Sequence, residues 1–342
     1  MRSADPGDLV DSFLDLALLG QSREAVAITL ELLDAGVPED EIIGDLLAAA
    51  QRQVGDGWQR NQLSVADEHV ATGAAESALH ALAAATPAPA SSGLVVVACA
   101  EGDWHAVAAH MIAEQLRARG IAVAFLGAST PADHVASFVE RRRPVALAIS
   151  CNLALFYSGV ARLADAAHAA GVPVLAGGRA LRGGGGARAQ RLGADASAND
   201  VTDAVATLAA WARQPPPVLQ SATVLDADGL ELEVRAAELG GSAYGDLVDS
   251  FPAMSGYDDR QIARTREDLV FIARFVAASQ LVADDLVFTE FLDWLTELLA
   301  ARGVPAAAVG AGLKVLQPRL LSVSPAAGRL GELGVRHLAQ RQ

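Results

Sequence analysis

The stretch Ala100-Glu101-Gly102-Asp103-Trp104-His105 gathers residue types suited to holding a metal. His105 offers one imidazole nitrogen. Asp103, two positions earlier, can accept a hydrogen bond from the other. A carboxylate behind a histidine fixes the tautomer and orientation of a ligating ring. Taken alone, a histidine near a helix start is more often a plain surface residue than a ligand. Two further elements follow at defined intervals. Residues 109–149, 41 of them, lead to Ser150-Cys151-Asn152, and residues 153–176, 24 of them, lead to Gly177-Gly178. A glycine pair allows close backbone approach because no Cβ obstructs it.

This order and spacing resembles the cobalamin-binding domain, whose pattern is Asp-x-His-x-x-Gly, Ser-x-Leu and Gly-Gly. The resemblance implies a cofactor bound His-on and base-off. His105 is then the lower cobalt ligand, and Ser150 bonds the displaced dimethylbenzimidazole. The nucleotide tail enters a slot between sheet and helix, with Ala108, Gly177 and Gly178 beside it, and Asp103, Trp104 and Asn152 complete the cofactor-binding set. Two positions depart from the pattern: Ala108 stands for its Gly and Asn152 for its Leu. Alanine is small, so a slight tightening of the slot is expected.

Upstream, Trp58 is followed by nine residues and then Glu68-His69. Without the downstream motif these read as a core tryptophan and a surface pair. Beside it, the arrangement resembles the cap of light-sensing cobalamin photoreceptors of the CarH type. That resemblance implies adenosylcobalamin, with Trp58, Glu68 and His69 packed around the adenosyl group. Those photoreceptors carry a histidine directly after the tryptophan; here Gln59 stands there, a poor cobalt ligand. Thr265 to Leu269, Phe288 to Leu295 and Ala301 to Pro305 resemble the globin-like helical tail of the photocobilins, which hold biliverdin as well. Tyr244, Tyr257, Arg260, Arg264 and Arg266 are candidates for that bilin; each is otherwise a solvated surface residue. Neither Cys99 nor Cys151 lies in a recognised attachment setting, so binding is expected to be non-covalent.

The resemblance as a whole implies a light sensor rather than an enzyme. Co–C photolysis would change domain packing and the state of a homo-oligomer, and would signal to an unidentified downstream protein. The alternative is a corrinoid methyl-carrier protein of a methyltransferase system, against which the Trp58 and Glu68-His69 signature weighs.

The elements that must position these residues follow from periodicity. Residues 1–88 carry four helical runs, a bundle expected to cover the upper face of the cofactor. Ser64 with Asp67 has capping-box spacing. Residues 85–93 read as a linker. Within 89–215, continuous apolar strands at 94–100, 121–127, 144–151 and 173–178, with a short fifth near Ala194, alternate with helices near 105–119, 131–142, 157–170, 180–192 and 198–213. That pattern predicts a Rossmann-like parallel sheet covered on both faces, with ligands at the C-terminal strand ends. Gly183 to Gly186 form a glycine-only loop lacking the Lys-Ser/Thr of a phosphate loop. Residues 216–257 read as a linker in which Asp226-Ala227-Asp228-Gly229 turns a hairpin over 223–234. Residues 258–342 return to helix. The fold class is multidomain, α with α/β.

Composition bounds the rest. Of 342 residues 52% are hydrophobic, enough for packed cores, which excludes a disordered chain. With 26 Lys+Arg against 41 Asp+Glu the net charge is −15, which argues against nucleic-acid partners. With a sequence that opens on the bundle, a direct transcription regulator is not expected. No signal peptide or membrane-length apolar run appears, so a soluble, cytoplasmic protein is expected. Two cysteines in apolar runs fit a reducing compartment.

Overall fold

The computed structural model describes residues 6–87, 93–183, 186–218 and 222–341. The chain divides into two compact units: Met1–Asn152 with Arg162–Ala222, and Leu153–Ala161 with Thr223–Gln342.

The first unit begins with α1 (Pro6–Leu18), α2 (Ser22–Asp34), α3 (Glu39–Glu41), α4 (Ala48–Gln59) and α5 (Val65–Ala85). The π-helical turn Ile42–Leu47 joins α3 to α4 and buries Ile42, Ile43, Leu46 and Leu47. Phe13, Ile43, Leu47, Leu79 and Leu82 form the centre of this bundle's core. Thr72 Oγ1 donates to Gln51 Oε1 at 3.1 Å, tying α5 to α4. The expected capping box opens α5. The Asp67 amide donates to Ser64 Oγ at 3.2 Å, and the Ser64 amide donates to the Asp67 carboxylate at 2.8 Å.

Next come β1 (Leu94–Cys99), α6 (Ala106–Ala118), β2 (Ala122–Gly127), α7 (Ala132–Arg142), β3 (Ala146–Ser150), α8 (Tyr157–Ala169), β4 (Val174–Gly177), α9 (Ala187–Arg191), β5 (Ala196–Ala198) and α10 (Val201–Arg213). The strands lie in the order β2-β1-β3-β4-β5, every pair parallel. The chain runs outward from β1 to β2, then returns across β1 to β3. Such a reversal opens a crevice at the C-terminal ends of β1 and β3, where doubly wound sheets take their ligands. Helix α6 joins sheet to bundle. Its Met111 belongs to the bundle core. Gln115 Nε2 donates to the Asp40 carbonyl at 3.1 Å, and Arg119 Nε to the Asp40 carboxylate at 2.9 Å.

The helix expected over 180–192 is shorter in the structure. A 3-10 turn covers Arg179–Leu181, and α9 takes only Ala187–Arg191. Gly184 and Gly185 of the glycine run, and 88–92 of the linker, lie outside the described residues.

The second unit is all helical: α11 (Ala227–Ser250), α12 (Asp259–Val282), α13 (Asp285–Ala300), α14 (Ala306–Val323) and α15 (Pro325–Ala339), with the segment Leu153–Ala161. The linker and hairpin expected within 216–257 are corrected here. Asp226 is the N-cap of α11, its carboxylate accepting the Gly229 amide at 2.7 Å. Leu232, Ala236, Leu239, Ala243 and Leu247 then recur at helical spacing on one buried face. The Asp-Gly signal that reads as a hairpin turn is a helix start. These side chains join Phe288, Leu292, Leu313 and Leu320 in one core.

Candidate functional site

Asp103 anchors the loop between β1 and α6. Its amide donates to the Ala100 carbonyl at 2.9 Å, closing a tight turn. Its side chain is wholly buried and its carboxylate accepts three hydrogen bonds. Oδ1 takes the His105 amide at 3.0 Å and His105 Nδ1 at 2.7 Å; Oδ2 takes the Asn152 amide at 2.9 Å. His105 is the N-cap residue of α6, and its ring is 54% exposed. With Nδ1–H donating to the carboxylate, Nε2 is left as the lone-pair nitrogen. The hydrogen bond to Asp103 draws the His105 pKa above the usual histidine value. Partial burial opposes this, and the charges of Asp103 and Glu68 add to it. Glu68, on the first turn of α5, therefore acts electrostatically on His105, and bundle and sheet address the same site.

The remaining residues expected here fall around this loop. Trp104 is 77% exposed beside His105. Ala108 is half-buried on α6, and Ser150 is half-buried at the end of β3. Gly177 ends β4 and Gly178 follows at φ 105°. A Cβ on Gly178 would stand 2.4 Å from the Cys151 carbonyl oxygen, and one on Gly177 would stand 2.9 Å from that of Ala198. Only glycine allows the end of β4 to pack this closely against the backbone after β3 and at β5. On the bundle side Trp58 is half-buried near the end of α4. His69 is exposed, its Nδ1 3.4 Å from the Glu68 carboxylate.

Sequence reasoning missed how the loop is held. Ser129, at φ 47°, accepts the Gly102 amide on its hydroxyl at 3.1 Å and donates its own amide to the Asp103 carbonyl at 3.0 Å. The Asn152 side chain donates to the His105 carbonyl at 3.0 Å. Each joins segments distant in sequence, and no local pattern announces them. Cys99 lies beneath the loop; burial first, and the Asp103 charge second, push its thiol up to about 12, so it is no nucleophile at neutral pH.

In the second unit the candidate bilin residues divide. Arg266 stacks over the Tyr244 ring, 4.4 Å from its centroid. Arg264 pairs with Glu267 at 2.6 Å, Arg260 is exposed, and Tyr257 packs against the helical core. An open cavity of about 380 Å³ lies between α11 and α12, lined by Arg266, Glu267, Val270, Phe271 and Arg274 among others. Of the five candidates only Arg266 lines it.

The first unit's donor set fits a corrinoid. Among the described residues no three or more His, Cys, Asp or Glu gather into a metal cage. His105 thus suits a metal that brings its other ligands, as a corrin macrocycle does. Among the described residues no helix is long and apolar enough to cross a membrane.

Comparison with known proteins agrees with this geometry. Two B12-binding domain models match, one over residues 9–83 and the other over 93–209. Dimethylamine corrinoid protein 2 of Methanosarcina mazei is 26% identical over 209 residues, covering 58% of this chain and 94% of that protein. Dimethylamine corrinoid protein 1 of the same organism is 27% identical over 203 residues, covering 56% and 91%. The structure of the Methanosarcina barkeri monomethylamine corrinoid protein aligns with a TM-score of 0.51 at 21% identity, over 59% of this chain and 98% of that one; it shows the shared fold. Bundle and sheet, with His105 at the strand ends between them, are therefore a B12-binding domain pair, and the ligand of this chain is a corrinoid.

Proposed function

We propose that this chain is a corrinoid carrier of a methyl-transfer system. The observation that carries the reading is His105, half-exposed at the β1 end and held through Nδ1 by the buried Asp103 carboxylate. The names of the similar proteins, corrinoid proteins for dimethylamine, support carriage of a methyl group. When bound, the corrinoid supplies a cobalt–carbon bond that accepts and releases an alkyl group. The protein's own share is to hold a neutral imidazole below the metal. Asp103 keeps the ring proton on Nδ1.

A second reading is favoured by the Trp58 and Glu68-His69 arrangement, with the Glu68 charge acting on His105. In it the chain holds adenosylcobalamin and responds to light, with biliverdin in the helical unit. One pair of experiments separates the two. Loaded with methylcobalamin in the dark, a carrier loses its alkyl spectrum only when a corrinoid-dependent methyltransferase and a thiol acceptor are added. Loaded with adenosylcobalamin, a light sensor changes spectrum irreversibly under green light and changes hydrodynamic size. Light response without dark methyl transfer would replace the carrier reading by the second.

A further inference from the structure

Asn152 stands where the cobalamin-binding pattern has leucine, and it makes two bonds that link the strands flanking the crevice. Its amide donates to Asp103 Oδ2 at 2.9 Å, and its side-chain Nδ2 donates to the His105 carbonyl at 3.0 Å. Asn152 follows β3 and His105 follows β1, adjacent strands in which Cys99 pairs with Ser150. A leucine would keep the backbone bond and lose the side-chain one. The loss matters because His105 then keeps only its two bonds to Asp103 and a 4.0 Å contact from Cys99 Sγ. Its ring is 54% exposed, so packing does not hold it, and its side chain makes no cap bond to α6. Asp103 holds the residue at its amide and at Nδ1, and Asn152 holds it at the main-chain carbonyl, which Cys99 Sγ also approaches at 4.0 Å.

We propose that Asn152 is a positioning residue for the lower cobalt ligand: its side-chain amide holds the His105 main chain so that Nε2 keeps a fixed aim. This rests on the corrinoid reading above and adds how the ligand is oriented. The test uses the full chain loaded with cob(II)alamin, with and without ¹⁵N-histidine labelling. Label-sensitive splitting in the electron paramagnetic resonance spectrum reports protein histidine on cobalt, and free imidazole is titrated in to displace it. In Asn152→Leu the imidazole concentration for half-displacement should fall about fivefold, the size expected for one lost hydrogen bond. Asn152→Asp, which has no donor in that place, should fall likewise. Retention of the parent midpoint by Asn152→Leu overturns the assignment. Absence of label-sensitive splitting in the unsubstituted chain overturns the His-ligated reading itself, and the assignment with it. A measurement on the unsubstituted chain is independent of variant folding. The Asn152 side-chain amide protons should exchange with water more slowly than those of a solvated asparagine; exchange at the solvated rate overturns the assignment.

Discussion

Asp103 in the first unit and Asp268 on α12 in the second are both aspartates withdrawn from water. Asp103 is wholly buried, and its carboxylate receives the amides of His105 and Asn152 and the ring nitrogen of His105. Asp268 lacks such a set. Burial, and then the nearby Glu267 charge, push its pKa up to about 6, with Arg264 offsetting only part of the rise. Burial raises a carboxyl's pKa where no donors are built around it to offset the cost. The first arrangement marks a site; the second marks a helical core that tolerates an acid.

The largest expected effect comes from removing the better-held acid. Asp103→Ala leaves three N–H groups without their acceptor. At about 1–3 kcal/mol for each buried donor, with the half-exposed ring partly rescued by water, the first unit should lose roughly 4 kcal/mol. Corrinoid affinity should fall by about 10- to 100-fold, the usual effect of losing the partner behind a metal-bound histidine. Urea unfolding of the full chain and titration with hydroxocobalamin read the two effects. Affinity unchanged after that substitution would remove the distinction between the two aspartates.

At Asp268 the sign reverses. Below the ordinary aspartate value of 3.8, folded and unfolded chains both carry the proton; between 3.8 and about 6 only the folded chain keeps it. The contribution of Asp268 to the stability of the second unit therefore falls as pH rises through that window and levels off above it. The window is worth roughly 3 kcal/mol. Asp268→Asn should recover up to that amount at neutral pH and flatten the slope between pH 4 and 6. Calorimetric melting of parent and variant at several pH values measures it. A difference between parent and Asp268→Asn that stays constant across the window would mean the carboxyl is better solvated than its burial implies.

Much of the first site was legible because its elements recur at strand ends with fixed spacing. Asp103, His105, Ser150 and Gly177-Gly178 each sit where a β1, β3 or β4 strand stops. Apolar runs alone located the strands, and the Ser64-Asp67 spacing located the start of α5. The bonds of Ser129 and Asn152 to the loop were not legible, since they form between segments that meet only once the sheet is closed. Helix α11 was misread for a local reason. Asp-x-Asp-Gly serves a hairpin turn and a helix N-cap equally well, and only the Leu232-to-Leu247 spacing beyond it decides. The pairing of Arg266 with Tyr244 spans α12 and α11 and has no signature along the chain.

The smallest expected effect tests whether the same local device does different work in the two units. Both α5 and α12 open with a capping box: Ser64 with Asp67, and Asp258 with Gln261. Ser64→Ala and Asp258→Ala should each cost about 1 kcal/mol. Their consequences should differ. The turn that Ser64 caps carries Glu68 and His69, and the Glu68 charge bears on His105. Fraying of that turn moves a charge relative to the lower ligand. Fraying at Asp258 loosens a turn that carries Arg260, exposed and remote in sequence from any residue of the corrinoid site. Ser64→Ala should therefore lower the pKa of His105, read by NMR of the ring protons in the cofactor-free chain, whereas Asp258→Ala should leave it in place. Equal His105 titration in both variants would show that the α5 cap serves helix stability alone. A shift confined to Ser64→Ala would tie the electrostatic influence of the bundle on His105 to one serine hydroxyl.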